Sequence, residues 1–338
     1  MKLLILLLIT SCAQVTSLNL KKHSFGILPT KIIWFQVAGL EEEQIAMLRF
    51  DKSAQNRTSF EKNTCMGKTW SYNLFDLRPK GQSSFLSELT GKNNIKLNCE
   101  DTEHRPIWSY LGPNGYNTGI LEIGANKEQS LMSLNQCGEN GLVFLSSLYF
   151  WSRSEPTPGS ATFHYNDPVP MEPNQFVYDR ACTGKVCRST IYDDVKAVYD
   201  RFRYVSKKHM IIVRDFSYLE SLEKKDMVKA KEILKDLERS YDYALKVSED
   251  FSDVLVLFTT ADGRYIDLPA QGKDWYEFEK KGSGAQVKSQ PRLTNLVLAT
   301  GARAENFCGI YESQEVFTRI LTGPKQQGLE LKVINPFK

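Results

Sequence analysis

Short apolar runs alternate along this chain with longer amphipathic or turn-rich segments. Each run is four to six residues long and almost continuously apolar, which is typical of strands buried on both faces of a sheet. Six runs fit this description: 32–37, 119–123, 142–145, 210–213, 254–258 and 296–299. Strands that alternate with helical segments predict an α/β protein, here a three-layer αβα sandwich around a mostly parallel central sheet.

The clearest helix is predicted between Ser217 and Val247. Apolar residues recur there at spacings of three and four while Lys and Glu fill the other face, so we expect the apolar stripe to pack on the core. The Pro-rich polar segment 154–174 is predicted to be a long surface loop, because strand-like runs continue on both sides of it. A chain of 338 residues, 41% of them hydrophobic, can build a large core, and we expect one domain over 30–338.

The N-terminus predicts export. Met1-Lys2 precedes an apolar run that is too short to span a bilayer and is followed by small and polar residues, as in a secretory leader. Two cleavage points are open. A cut after Ser17 would remove 1–17 and release a soluble protein with a linker over 18–29. A cut after residue 11 would leave Cys12, in the lipobox-like stretch Ile9-Thr10-Ser11-Cys12, to carry a lipid. We expect the second, in a periplasmic or outer-membrane-anchored bacterial lipoprotein, with secretion as the alternative.

The remaining cysteines also fit an oxidising compartment. Without Cys12 they form an even set of disulfide candidates: Cys65, Cys99, Cys137, Cys182, Cys187 and Cys308. Cys182 and Cys187 enclose a short polar loop that can close locally, whereas the pairing of the other four stays open. A zinc site at this pair is not favoured, because no second pair and no histidine lies nearby.

Charge and motifs exclude several other classes. A net charge of +3 leaves no strongly basic surface, so nucleic acid is not an expected partner. Nucleotide-binding glycine loops, a zinc-protease helix and a serine-hydrolase elbow are absent from the sequence. His104 follows several acidic residues, which we interpret as a solvated helix start. Trp275 and Tyr276 lie in a polar segment and are candidate exposed aromatic faces for a sugar or peptide.

The stretch 299–317 runs from a Gly-rich turn through Gly309-Ile310-Tyr311-Glu312 to a final helix. It resembles the G-x-Y-E-N-T-E-V-F stretch of the alkaline phosphatase superfamily, which includes phosphatases, nucleotide pyrophosphatases and sulfatases. Four further segments resemble this superfamily in the same order: strand 32–37 with Ala38-Gly39-Leu40, the helix ending at Thr90-Gly91, Asp215 with its following helix, and 253–262 ending in Thr260-Ala261-Asp262. The resemblance spans roughly residues 30 to 325 and implies the same fold.

That superfamily uses two divalent ions, held by carboxylates and imidazoles, with a Ser, Thr or modified Cys nucleophile. The resemblance implies that most of these groups are missing here. The corresponding positions are Ala38 for the opening Asp, Gly81 for the nucleophile, Leu219 and Gly263 for two histidines, and 290–292 for the last histidine, with Asp215 and Asp262 retained. We therefore expect no catalytic residue, no metal and no cofactor.

The resulting hypothesis is an inactive, exported binding or scaffold protein of the cell envelope. Its partner would be another envelope protein or a small ligand, and it would touch the membrane only through a lipid anchor. The alternative is a divergent phosphoric or sulfuric ester hydrolase with a rearranged site for two divalent cations such as zinc. The two retained carboxylates are expected to bind loop amides, to pair with Arg214 or Arg264, or to take up a proton.

Overall fold

The computed structural model describes residues 28–51, 57–154, 160–182, 187–269, 274–275, 277–278 and 287–321. The predicted leader, with Cys12, lies outside these residues, as do His23 in the predicted linker, Tyr276 and 322–338. Within the described ranges, no helix is both long enough and apolar enough to cross a bilayer.

A ten-stranded sheet forms the middle layer. Its strands are β1 Lys31–Ala38, β2 Cys65–Trp70, β3 Tyr116–Ile123, β4 Leu148–Ser152, β5 Ala161–Phe163, β6 Phe176–Asp179, β7 Lys208–Asp215, β8 Val254–Ala261, β11 Thr294–Gly301 and β12 Gly309–Glu312. Along the chain between β8 and β11 lie β9 Arg264–Ile266 and β10 Val287–Pro291, which pair separately as a two-stranded sheet. The strand order is β12-β2-β11-β8-β1-β7-β3-β4-β6-β5, and only β11 runs antiparallel to its neighbours.

Helices cover both faces of the sheet. They are α1 Glu42–Asp51, α2 Gly81–Thr90, α3 Ile107–Leu111, α4 Gly138–Phe144, α5 Ile191–Phe202, α6 Ser217–Glu223, α7 Met227–Asp250 and α8 Glu315–Leu321. One apolar cluster joins α1, α5 and α7 to one face, and a second joins α2, α3, α4 and α8 to the other. The predicted three-layer αβα architecture with a mostly parallel sheet is therefore confirmed.

The strand predicted at 142–145 is wrong. This segment spans the end of α4, where Leu142 and Val143 are exposed while Gly141, Phe144 and Leu145 are buried. Burial at positions i, i+3 and i+4 is helical periodicity, which a run of four apolar residues conceals. The strand of this region, β4, begins only at Leu148.

Two further boundaries differ from the predictions. The helix expected from Ser217 to Val247 is broken, because α6 ends at Glu223 and α7 begins at Met227. The segment 154–174 contains the short strand β5, so it is not entirely a loop; residues 155–159 lie outside the described part. The other five strand-like runs are strands of the sheet.

Three disulfides hold the sheet edge and its loops. Cys65 pairs with Cys308, which joins β2 to the residue before β12. Cys99 pairs with Cys137, and Cys182 pairs with Cys187 as the short spacing suggested. The prediction of disulfide bonds is confirmed, and the two pairings that the sequence left open are now assigned.

Candidate functional site

The carboxyl ends of β1 and β8 lie side by side, with Ala38 in register with Ala261. Helix α2 begins directly above them at Gly81. A Cβ atom built on Gly81 would lie 3.2 Å from the Cβ of Ala38 and 3.6 Å from the Cβ of Asp262. The fold thus brings three of the predicted positions, Ala38, Gly81 and Asp262, into direct proximity at one end of the sheet.

Apolar side chains fill this meeting point. Ala38 belongs to a buried apolar cluster, whose other members are Phe85, Phe216, Leu219 and Ala261. The rings of Phe85 and Phe216 pack edge to face with their centroids 5.6 Å apart. Leu219 lies against the backbone of Gly39, whose φ of 89° also favours glycine. Hydrocarbon therefore occupies the space around the predicted nucleophile position, and hydrocarbon has no donor atom for a metal ion.

Asp262 is buried at this point and has protein partners. Its Oδ1 lies 2.8 Å from the guanidinium of Arg264, and its Oδ2 accepts a hydrogen bond of 3.2 Å from the backbone N–H of Gly81. Burial raises the pKa of Asp262 to about 6, although Arg264 acts in the opposite direction. The pairing with Arg264 is one of the outcomes expected from the sequence. The Arg264 guanidinium thus neutralises a carboxylate that could otherwise attract a metal cation.

Gly263 is covered by Glu41, a residue that the sequence reasoning missed. A Cβ atom on Gly263 would collide with the carboxyl of Glu41, so a larger side chain fits only if Glu41 moves. Burial raises the pKa of Glu41 to about 7, against the lowering effect of Arg292. No sequence signal identified Glu41, because it approaches the site through the turn after β1 rather than through a motif.

Asp215 ends β7 beside Val37 of β1. Because side chains alternate along a strand, this places it on the opposite face of the sheet from Ala38. Its Oδ1 accepts hydrogen bonds from the backbone N–H of Ser217, at 3.0 Å, and from the Ser217 hydroxyl. Burial raises the pKa of Asp215 to about 6. The two retained carboxylates therefore have separate partners and do not form a common ligand set.

A buried polar network lies below the apolar cluster, and no sequence pattern predicted it. Arg214 is fully buried, pairs with Glu122 of β3, and donates to the side chain of Gln82 at 2.5 Å. Glu88 of α2 accepts hydrogen bonds of 2.8 Å from both Gln36 and Thr259. Arg214 was a predicted partner of Asp215 or Asp262, and its partner is Glu122 instead.

The residues at these positions do not fit a pair of divalent ions. Ala38 and Gly81 supply no ligand, Leu219 is packed in the apolar cluster, and Asp262 is already paired with Arg264. In the described part of the chain, one cluster brings three ligand-type side chains within reach of a single ion: Asp179, Cys182 and Asp194. Its sulfur is engaged in the Cys182–Cys187 disulfide and is not free to act as a thiolate.

The described histidines lie in other parts of the fold. His104 is the C-cap of the short 3-10 helix Cys99–Glu103. The acidic residues Glu100 and Asp101 lie in the first turn, as expected of a helix start, whereas His104 itself lies at the helix end. His164 follows β5. His209 lies near the beginning of β7, at the strand end opposite to Asp215, and burial lowers its pKa.

Trp275 was expected to be exposed, and this was wrong. It is buried at 9% exposure, and its ring stacks on Phe278 with a centroid distance of 5.3 Å. It lines a cavity of about 270 Å³ together with Met47 and Met227. The polar composition of its segment concealed one apolar side that packs on the core.

Comparison with solved structures identifies the fold. The alkaline phosphatase from the Antarctic bacterium TAB5 superposes with a TM-score of 0.64 at 12% identity, over 87% of this chain and 97% of that chain. The cold-active alkaline phosphatase of Shewanella sp. gives 0.64 at 11% identity, over 86% and 98%. The Thermus thermophilus enzyme gives 0.58 at 9% identity, over 88% and 92%.

Sequence comparison alone finds no such relation, since no protein-family model and no curated protein match this chain. At identities of 9–12%, these comparisons show a shared fold and do not show a shared activity. The chain is therefore a divergent protein with the alkaline phosphatase-like fold, as its sequence resemblance implied.

Proposed function

We propose that this chain is an exported binding protein that keeps the alkaline phosphatase-like fold but does not hydrolyse esters. The observation that carries the proposal is the apolar cluster around Ala38. Gly81 lies against this cluster and supplies no side chain. Metal-assisted ester hydrolysis needs a nucleophile and charges that stabilise the developing oxyanion. Methyl, phenyl and isobutyl groups at this point supply neither.

The neighbouring charges support the same proposal. Arg264 is engaged with Asp262, and Arg214 is engaged with Glu122, so both buried cations offset protein carboxylates. Charges that are paired within the protein in this way attract external cations or a transferring phosphoryl group only weakly. The ligand would then bind elsewhere on the same end of the sheet.

Turnover of chromogenic esters tests this proposal. The full chain is assayed with 4-nitrophenyl phosphate and 4-nitrophenyl sulfate in the presence of Zn²⁺ or Mg²⁺, beside Asp215→Ala, Asp262→Ala and, as a matched control, Asp250→Ala on the exposed end of α7. We expect the same background rate for all four proteins. Turnover by the wild type that Asp215→Ala and Asp262→Ala abolish, while Asp250→Ala keeps it, would establish the divergent hydrolase instead.

Export and anchoring are proposals of the same kind. Three disulfides support folding in an oxidising compartment. We propose that the mature chain begins at Cys12 and carries a lipid there. Mass spectrometry of the protein from a bacterial membrane fraction is expected to find an acylated N-terminal Cys12 peptide. An unmodified mature N-terminus at Leu18 would contradict the anchor but not the export.

A further inference from the structure

A cationic cavity opens beside the degenerate end of the sheet. It has a volume of about 600 Å³ and lies between β9, β10 and the loop that precedes α2. The residues that matter for its chemistry are Arg78, Tyr265, Lys288, Ser289, Gln290 and Arg292. The backbone N–H of Arg292 donates to the carbonyl of Gly263, at 2.9 Å, which fixes the cavity next to the former catalytic positions.

The three cations of this cavity form no ion pair with a carboxylate among the described residues, although Arg292 lies near enough to Glu41 to lower its pKa. No carboxylate lines the cavity in that part of the chain, and Arg78, Lys288 and Arg292 form no ion pair there. Nearby Arg264 shows the contrast, because it pairs with both Asp262 and Glu223. Three positive charges gathered with no carboxylate in the cavity lining repel one another, and an anion placed among them removes that repulsion.

Their positions are fixed by neighbouring groups. The Lys288 ammonium lies 4.9 Å from the centroid of the Tyr265 ring, and the Arg292 guanidinium carbon lies 4.8 Å from it. Arg78 donates one guanidinium hydrogen bond to the carbonyl of Pro291. A guanidinium has five N–H donors, so most of those on Arg78 stay available for an oxyanion. Cation–π contact orients both cations around one ring without cancelling their charge.

We propose that this cavity binds an oligoanionic small ligand, one that carries two or more phosphate or sulfate groups. Three cations around one opening match several oxyanions better than a single one. The exposed side chains of Ser289 and Gln290 offer hydrogen bonds to the hydroxyl or ester oxygens between the charged groups. The proposal goes beyond the lack of hydrolysis. It holds or fails separately from it, because oligoanion binding and ester turnover are measured independently, although Gln290 and Arg292 lie in the stretch that corresponds to the last histidine.

Calorimetric titration of the full chain tests this assignment. The probes are sodium tripolyphosphate, a heparin-derived sulfated tetrasaccharide and, as an uncharged control, maltotetraose, each without divalent metals and at two NaCl concentrations. We expect at least one oligoanion to bind one to one, more weakly at the higher salt concentration, and maltotetraose not to bind. Tighter binding of tripolyphosphate identifies a phosphorylated ligand, and tighter binding of the tetrasaccharide identifies a sulfated glycan.

Charge-matched variants show whether binding occurs at this cavity. The triple variant Arg78→Gln, Lys288→Gln, Arg292→Gln is expected to weaken binding by about tenfold or more, at up to about fivefold per exposed charge contact. The control triple variant, with an equal change of charge, replaces exposed lysines elsewhere: Lys62→Gln, Lys224→Gln and Lys246→Gln. Tyr265→Phe should retain affinity and Tyr265→Leu should reduce it, because only the phenyl ring keeps the cation–π contacts. Equal losses in both triple variants, or no binding of either oligoanion, would overturn the proposal.

Discussion

Glu88 is a buried polar residue near the apolar cluster around Ala38. Burial raises the pKa of this carboxyl to about 8, while its hydrogen bonds from Thr259 and Gln36 and the more distant Arg214 act to lower it. In the unfolded chain the pKa is near 4.5. Between these pH values the folded chain holds a proton on Glu88 that the unfolded chain has lost. The free energy of unfolding therefore falls as the pH rises from about 4.5 to about 8.

Replacing Glu88 by Gln removes this dependence. The amide oxygen can still accept the hydrogen bonds from Gln36 and Thr259, and the side chain no longer has to ionise. We expect Glu88→Gln to gain stability relative to the wild type at pH 8 and to gain much less at pH 5, in urea denaturation at both pH values. Glu249→Gln, on the exposed face of α7, should show no such difference. A gain for Glu88→Gln that is equal at both pH values would refute this assignment.

The sequence could name the positions of the site but not their partners. Ala38, Gly81 and Asp262 follow from the order of segments, and the fold brings them together. The contact of Glu41 with Gly263 and the pair of Arg214 with Glu122 depend on which side chains meet across different elements. Sequence order carries no signal for such contacts, because it records neighbours along the chain only.

At the scale of elements, the break between α6 and α7 has an identifiable cause. The backbone N–H of Asp226 donates to the carbonyl of Ser221, and that of Lys225 donates to the carbonyl of Leu222, which is a Schellman ending. Lys225 has a φ of 57°, the left-handed region where glycine is usual. The continuous helix predicted over this segment was wrong. The connecting residues Lys-Lys-Asp contain no glycine, so the sequence does not mark the end of α6. The one available signal was Asp226, whose side chain accepts from the N–H of Lys229 and caps α7.

Lys225→Gly should stabilise the protein. Glycine adopts the left-handed conformation without a Cβ clash, and the relief outweighs its larger entropy in the unfolded chain, for a net gain of about 0.5–1 kcal/mol. The control is Lys224→Gly at the adjacent position, which has right-handed helical angles and should lose about 0.5–1 kcal/mol. Urea denaturation measures both changes. Destabilisation by Lys225→Gly to the same extent as by Lys224→Gly would contradict the proposed ending.

In the whole molecule, the sequence predicted the layers and five of the ten strands of the main sheet: β1, β3, β7, β8 and β11. Continuous apolar runs are a strong signal for central strands such as β1, β7 and β8, which are buried on both faces. Edge strands carry less signal. The alternation in β2, where Cys65, Gly67 and Thr69 are buried and their neighbours are not, was overlooked because it contains few β-branched residues.

The disulfides should contribute unequally to global stability. Cys65 and Cys308 are 243 residues apart, whereas Cys182 and Cys187 are 5 apart. In the chain-entropy account, removal of the longer link costs roughly 5 kcal/mol and removal of the shorter one about 2 kcal/mol. Thermal denaturation of the paired serine variants, Cys65→Ser with Cys308→Ser and Cys182→Ser with Cys187→Ser, compares them. A larger loss for the short link would show that loop closure is not the dominant effect.

Zinc binding shows whether the apolar cluster around Ala38 and the Asp262–Arg264 pair exclude a two-metal centre, as we propose. The full chain, purified with its disulfides, is equilibrated with zinc chloride, dialysed and analysed for bound metal, beside Asp215→Ala and Asp262→Ala. We expect less than one tightly bound zinc ion per chain and no difference among the three proteins. Two zinc equivalents in the wild type that are lost in both variants would contradict it.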